Sequence, residues 1–262
     1  MVDLKMREIG QGRVVQNPDG GLRLSLQQTI GEAYSLAQVD NYMHLPRRCF
    51  PCMPTVQLSL EARVSSEGLP GTWGFGLWND PFSLGIGGGG MQRVLPVLPN
   101  AAWFFYGSSR NYLSLRDDGA ARGFHAGTYR SPRLPGFFSL LGLPLIPFLF
   151  WPAASRWLRR ITRLVVQEDS AGIDVSARSW HRYTLKWSTS DVQFLIDRDQ
   201  VFRTPISPRG RLGVVIWIDN QFMHFGPDGR LGFGCETLPA LEWLSIRELT
   251  INETPVLAKA DD

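Results

Sequence analysis

Apolar side chains in this chain recur mainly at every second residue, and that period constrains its fold more than any other feature. Leu22, Leu24 and Leu26 alternate with Arg23, Ser25 and Gln27. Val56, Leu58, Leu60, Ala62 and Val64 alternate with Gln57, Ser59, Glu61 and Arg63. Successive side chains of a strand point to opposite faces, so each run predicts a strand with one buried side. Tyr183–Trp187 and Val192–Ile196 flank the polar turn Ser188–Asp191, which predicts a hairpin. Asp197–Gln200 predicts the next turn, and Val201 and Phe202 open a further short strand. The run Leu212–Ile218 is almost continuously apolar, as a central strand requires. Turn formers, 27 glycines and 18 prolines, punctuate the chain throughout. Many short strands between turns predict an all-β, two-sheet antiparallel sandwich, and 262 residues suit one such domain, 1–262.

One stretch breaks the period. Leu134–Ser155 carries no charge and includes Phe137, Phe138, Phe148 and Trp151, but Pro135, Pro144, Pro147 and Pro152 interrupt any continuous helix. After it, Trp157, Leu158, Ile161, Leu164 and Val165 fall on one helical face and Arg156, Arg159, Arg160 and Arg163 on the other. Residues 134–166 therefore form an apolar, partly helical insertion with a basic amphipathic end. Two readings stay open: docking on an anionic membrane surface through those aromatic and arginine residues, or a lid folded over the sandwich.

Charge and cysteine content narrow the classes. The net charge, 27 − 24 = +3, is too mild to argue for nucleic acid. The N-terminal MVDLKMREIGQGRVV has charges where a signal peptide needs an apolar core, which predicts a cytoplasmic protein, at most peripheral to a membrane. Cys49 and Cys52 form C-x-x-C around Phe50 and Pro51, and Cys235 stands alone; free structural thiols are the expectation. His44, His125, His181 and His224 lack metal-ligand spacing, so no metal is expected. The run Gly87–Gly90 lacks the context of a phosphate loop, no Ser lies in G-x-S-x-G, and no cofactor is expected.

Three segments in order carry a resemblance. Ala33–Val39 followed by TVQLSLEARVSSEGLPGTWGFGLW (Thr55–Trp78) resembles the opening strands and the "GTWpafW" strand of family-sixteen glycoside hydrolases. WHRYTLKWSTSDVQFLIDRDQVFRT (Trp180–Thr204) is similar to their "H-x-Y-x-x-x-W" hairpin. Gly213–Asn220 and Leu244–Ile251 resemble a returning strand and the closing strand. The resemblance implies a concanavalin A-like jelly-roll sandwich, the fold of lectins and glucanases. The hydrolases of that family carry Glu, Asp and Glu at alternating positions of one strand soon after "GTWpafW", which places three carboxylates on one face. Here the corresponding region, Asn79–Tyr106, holds Asp80 as its one carboxylate. The resemblance thus implies the scaffold without the catalytic set.

Strand parity locates a candidate ligand face. Trp73, Phe75 and Leu77 share one side of their strand, and Gly74, Gly76, Trp78 and Asp80 the other. Val214, Ile216 and Ile218 share one side, and Gly213, Val215, Trp217 and Asp219 the other. The solid apolar sides belong between the sheets. The second sides suit an open groove, with glycines leaving room and Trp78, Trp217, Asp80 and Asp219 lining it. Two function classes follow. One is a non-hydrolytic protein binding a glycan or an amphipathic, glycolipid-like ligand. The other is an enzyme of another class on a hydrophobic, isoprenoid-type substrate, with Asp80, Asp219 or His224 as acid/base; Asp80 and Asp219 are expected to pair if their strands bring them together.

Overall fold

The computed structural model describes residues 3–29, 31, 33–81, 97–117, 122–133 and 151–253. It is a sandwich of two seven-stranded sheets, with strands numbered in chain order. The first sheet runs β1 (Lys5–Ile9), β4 (Leu36–Asp40), β13 (Gly213–Asp219), β6 (Thr72–Trp78), β7 (Ala101–Gly107), β8 (Gly123–Arg130) and β9 (Gln167–Gly172). The second runs β12 (Asp199–Thr204), β11 (Val192–Ile196), β10 (His181–Trp187), β5 (Val56–Val64), β16 (Glu242–Glu253), β3 (Leu22–Leu26) and β2 (Gly12–Gln16). Neighbouring strands within both sheets are antiparallel. A small hairpin, β14 (Gln221–Phe225) and β15 (Leu231–Cys235), and one helix, α1 (Pro152–Val165), complete the described elements. No described helix is long and apolar enough to cross a membrane.

Period two explains the layers. Trp73, Phe75, Leu77, Val214, Ile216 and Ile218 all lie in the core between the sheets, with Leu24, Leu58, Leu60, Tyr183 and Phe194 from the second sheet. Rings interlock across the gap: Tyr183 meets Phe75 and Phe104 edge-on at 5.1 Å, and Phe194 meets Phe104 at 5.2 Å. The sequence-predicted hairpin is β10 with β11, Tyr183 opposite Ile196. The central apolar run is β13, seated between β4 and β6. No disulfide joins Cys49, Cys52 and Cys235; Cys49 is exposed and the other two are buried.

Candidate functional site

The outer face of the first sheet is built by register. Trp217, Gly74, Phe105 and His125 lie in one row across β13, β6, β7 and β8. Asp40, Val215, Gly76, Trp103 and Gly127 form the next, and Gly213, Trp78, Ala101, Tyr129 and Glu168 the one after. The rings of these rows touch. Trp78 and Trp217 lie parallel at 4° with centroids 6.3 Å apart, and Trp103 sits 5.9 Å from Trp217 and 6.2 Å from Trp78. Phe105 packs 5.7 Å from Trp217, and Tyr129 5.7 Å from Trp103. The face is an aromatic floor, with Trp103 and Trp217 each 8% exposed and Trp78 half-buried.

The glycines make this floor possible, though not as expected. A Cβ on Gly74 would stand 2.7 Å from Cη2 of Trp217 and 2.5 Å from the Phe104 carbonyl oxygen. One on Gly213 would meet the Tyr42 ring at 2.3 Å, and one on Gly76 the Cα and Cβ of Trp103 at 2.6 Å. The space over Gly74 and Gly76 is filled by the protein's own rings and backbone. They are corrected from ligand-binding positions to seats for the floor.

Several polar groups on this face are held by internal hydrogen bonds. Trp217 donates from Nε1 to Thr72 Oγ1 at 2.9 Å, and Thr72 donates on to Asp219 Oδ1 at 2.6 Å. Burial pushes the Asp219 carboxyl up to about 7, against hydrogen bonds from Thr72, the Gln221 amide and Tyr34 that favour the charged form. Burial also pushes His125 down to about 4, so it is neutral near pH 7. Glu168, raised by burial, accepts from the Leu115 amide at 2.6 Å and from the Tyr129 hydroxyl at 3.3 Å. Asp40 accepts from Gln38 Nε2 at 2.9 Å and from the Met43 amide at 2.8 Å. Among the described residues no three His, Cys, Asp or Glu side chains cluster in a way that could hold a metal ion.

The three acid/base candidates do not converge. Asp219 faces Thr72 at one end of the β13–β6 ladder, whereas Trp78, two residues before Asp80, faces Gly213 at the other end. Six residues of strand separate those ends, roughly 20 Å, so the expected Asp80–Asp219 pair does not form. Antiparallel pairing is the reason, because equivalent ends of neighbouring strands point opposite ways. Asp80 sits at φ +50°, with its carbonyl accepting Arg47 Nη2 at 2.6 Å. His224 belongs to the β14–β15 hairpin, 5.7 Å from Tyr112 and 3.6 Å from the Asp228 carboxylate.

No family model matches this chain, and no curated protein matches it. Solved structures do. A Bacteroides ovatus mixed-linkage glucan family-sixteen protein, in complex with its G4G4G3G product, superposes with TM-score 0.51 at 8% identity, over 95% of this chain and 94% of its own. The fold is glucanase-like. A Mycobacterium thermorestibile glycoside hydrolase family protein gives 0.48 at 14% identity over 95% and 92% of the two chains. A laminarinase from Flavobacterium sp. gives 0.43 at 12% over 89% and 78%. At these identities the likeness is one of fold.

Within this glucanase-like frame, β7 follows β6 both in sequence and in the sheet, and its outward positions are Ala101, Trp103 and Phe105. Parity at Trp78 and Trp217 was legible from sequence. Trp103, Phe105, Tyr129 and Glu168 were missed, although Trp103 and Phe105 show the same period two within AAWFFYG.

Helix α1 is docked through one arginine, Arg159, while Arg156, Arg160 and Arg163 are exposed. Arg159, only 3% exposed, donates from Nη1 to the carbonyls of Ser114 and Phe225 at 2.7 and 2.6 Å. Its Nη2 donates to the Arg116 carbonyl at 3.2 Å and pairs with Asp117 at 3.0 Å. Arg163 pairs with Asp117 at 2.9 Å, and Arg156 donates to the Asp228 carbonyl at 3.0 Å. Arg159 is thus corrected from a membrane-facing residue to the clamp that holds the helix. The opposite side is exposed: Trp151 is 64%, Trp157 59% and Leu164 84% accessible, with Arg160 also outward. Phe137, Phe138 and Phe148, like Gly87–Gly90, lie outside the described residues.

Proposed function

We propose that this glucanase-like sandwich is a binding protein, holding a glycan or an amphipathic, glycolipid-like ligand on the outer face of the first sheet at a membrane surface. The observation that carries the reading is the aromatic floor itself. Indole faces stack on sugar rings and on apolar chains alike, and half-buried Trp78 is the ring placed to receive them, steadied by Trp103 and Trp217. A retaining glycosidase needs two carboxyl groups about 5 Å apart. The outward carboxylates of the described strands, Asp40, Asp219 and Glu168, are spread over different strands and rows. Each is already committed to internal donors. Helix α1 supports the membrane part, because its accessible side combines Trp151, Trp157 and Leu164 with outward Arg160.

A second reading, an enzyme acting on a hydrophobic, isoprenoid-type substrate, draws on Asp219 alone among the three candidates. Its carboxyl is poised near neutral pH. The deciding experiment is a native mass spectrum and solvent extraction of the purified protein, followed by gel retardation on laminarin and on mixed-linkage glucan. A bound glycan or lipid, or retardation that Trp78→Ala weakens at unchanged thermal midpoint, is the expected result. Ligand-free protein that migrates normally on both polymers overturns the reading.

A further inference from the structure

The outer face of the second sheet, on the far side of the sandwich, carries a ladder of alternating guanidinium and indole groups. Arg23 on β3 lies 4.6 Å over the Trp243 ring on β16, and Arg63 on β5 lies 5.4 Å over the same ring. Arg63 also lies 4.9 Å from the Trp180 ring, which Arg247 covers at 4.3 Å. The register explains the alternation: Ser245 on β16 faces Arg23 on one side and Arg63 on the other, so the two arginines flank the strand that carries Trp243. Arg247 is paired with Glu61 at 2.8 Å, and Arg182 with Glu61 and Glu248. No ion pair holds Arg23 or Arg63 among the described residues; Arg23 donates from Nε to Ser245 Oγ at 3.2 Å, and the Nε of Arg63 is buried without a hydrogen-bond partner, so the Nη groups of both are what each presents outward.

A guanidinium stacked on an indole uses its flat face and leaves in-plane N–H groups for oxyanions, here the end-on fork of the two Nη atoms. Arg23 and Arg63 stand two inter-strand spacings apart, about 10 Å. Each indole is crowded by two guanidiniums, so the rings are poorly placed to stack on a base or a sugar. A flat sheet also offers no protruding element for a nucleic-acid groove. We infer that this face binds a linear anionic polysaccharide, reading sulfate-type oxyanions with the Arg23 and Arg63 forks. The inference is independent of the aromatic floor, which lies on the other sheet.

Retention on dextran sulfate, with unmodified dextran of equal length and duplex DNA as parallel arms, tests it. The full chain is expected to bind dextran sulfate, to ignore dextran and to bind DNA more weakly. Arg23→Gln with Arg63→Gln should abolish retention. Because those changes also dismantle the ladder, Val15→Glu is the second variant. Val15 is exposed on β2 opposite Arg23, and a carboxylate there competes for that fork without touching the stack. It should weaken binding about tenfold, as losing one charge-assisted contact does, while thermal stability holds. Trp78→Ala should leave retention unchanged, which separates this face from the floor. No retention of the full chain, unchanged retention in Val15→Glu, or DNA binding as tight as dextran sulfate each overturns the inference.

Discussion

Burial holds the Asp219 carboxyl at about 7, against 3.8 for an unperturbed aspartate. Between those values the folded chain keeps a proton that the unfolded chain has lost, so this group's contribution to stability falls as pH rises through the window. Three units correspond to roughly 4 kcal/mol at most, reached above pH 7. Asp219→Asn should remove that dependence: its stability gain over the parent grows from about pH 4 to pH 7 and then levels. Urea midpoints at acidic, intermediate and alkaline pH would show it, and a difference flat with pH would refute it. The comparison must be made with the parent, because His125, held at about 4 by burial, acts oppositely and gains stability as pH rises toward 6.5. Gly74→Ala tests the floor, since its Cβ would overlap the Phe104 carbonyl and Trp217. Overpacking of this kind should cost about 1–3 kcal/mol in chemical denaturation.

At the scale of the element, α1 separates two effects that a helical wheel merges. Arg159→Leu leaves the carbonyls of Ser114 and Phe225 without this donor, so α1 should undock. Hydrogen exchange should then rise across 152–165 while β13 stays protected. Trp157→Ser with Leu164→Ser touches only the exposed side, so the thermal midpoint should hold. Flotation with phosphatidylserine vesicles at low salt, where screening is weakest, should nonetheless drop sharply. Equal flotation of parent and double variant would remove the membrane role and leave the exposed indoles unexplained.

For the whole molecule the expectation concerns chemistry. Laminarin, mixed-linkage glucan and agar should release no reducing ends on prolonged incubation, because among the described residues the outward carboxylates Asp40, Asp219 and Glu168 stand on different strands and rows, apart from the close pairing that retaining hydrolysis requires. Turnover abolished by substituting a single carboxylate would defeat this expectation. The floor is rigid by construction: its rings rest on Gly74 and Gly213, and Trp217 is pinned through Thr72 to Asp219. A ligand bound there, as proposed, would meet a preformed surface and would not have to order one.

The sequence by itself determined which residues point inward. Strand geometry makes side-chain direction a matter of parity, and so Trp73, Phe75, Val214, Ile216 and Ile218 could be assigned to the core, and Trp78 and Trp217 to one outer face, without coordinates. It also carried the order of segments that marks a glucanase-like sandwich. Only the tertiary structure decided what lies opposite what. Parity does not encode strand direction, so the sequence could not show that antiparallel pairing sends Asp80 and Asp219 to opposite ends of their ladder. Helical periodicity groups Arg156, Arg159, Arg160 and Arg163 on one side but does not say which of them faces water. Arg159 turns inward because the carbonyls of Ser114, Arg116 and Phe225, brought together by distant parts of the chain, leave a buried set of acceptors that a guanidinium satisfies.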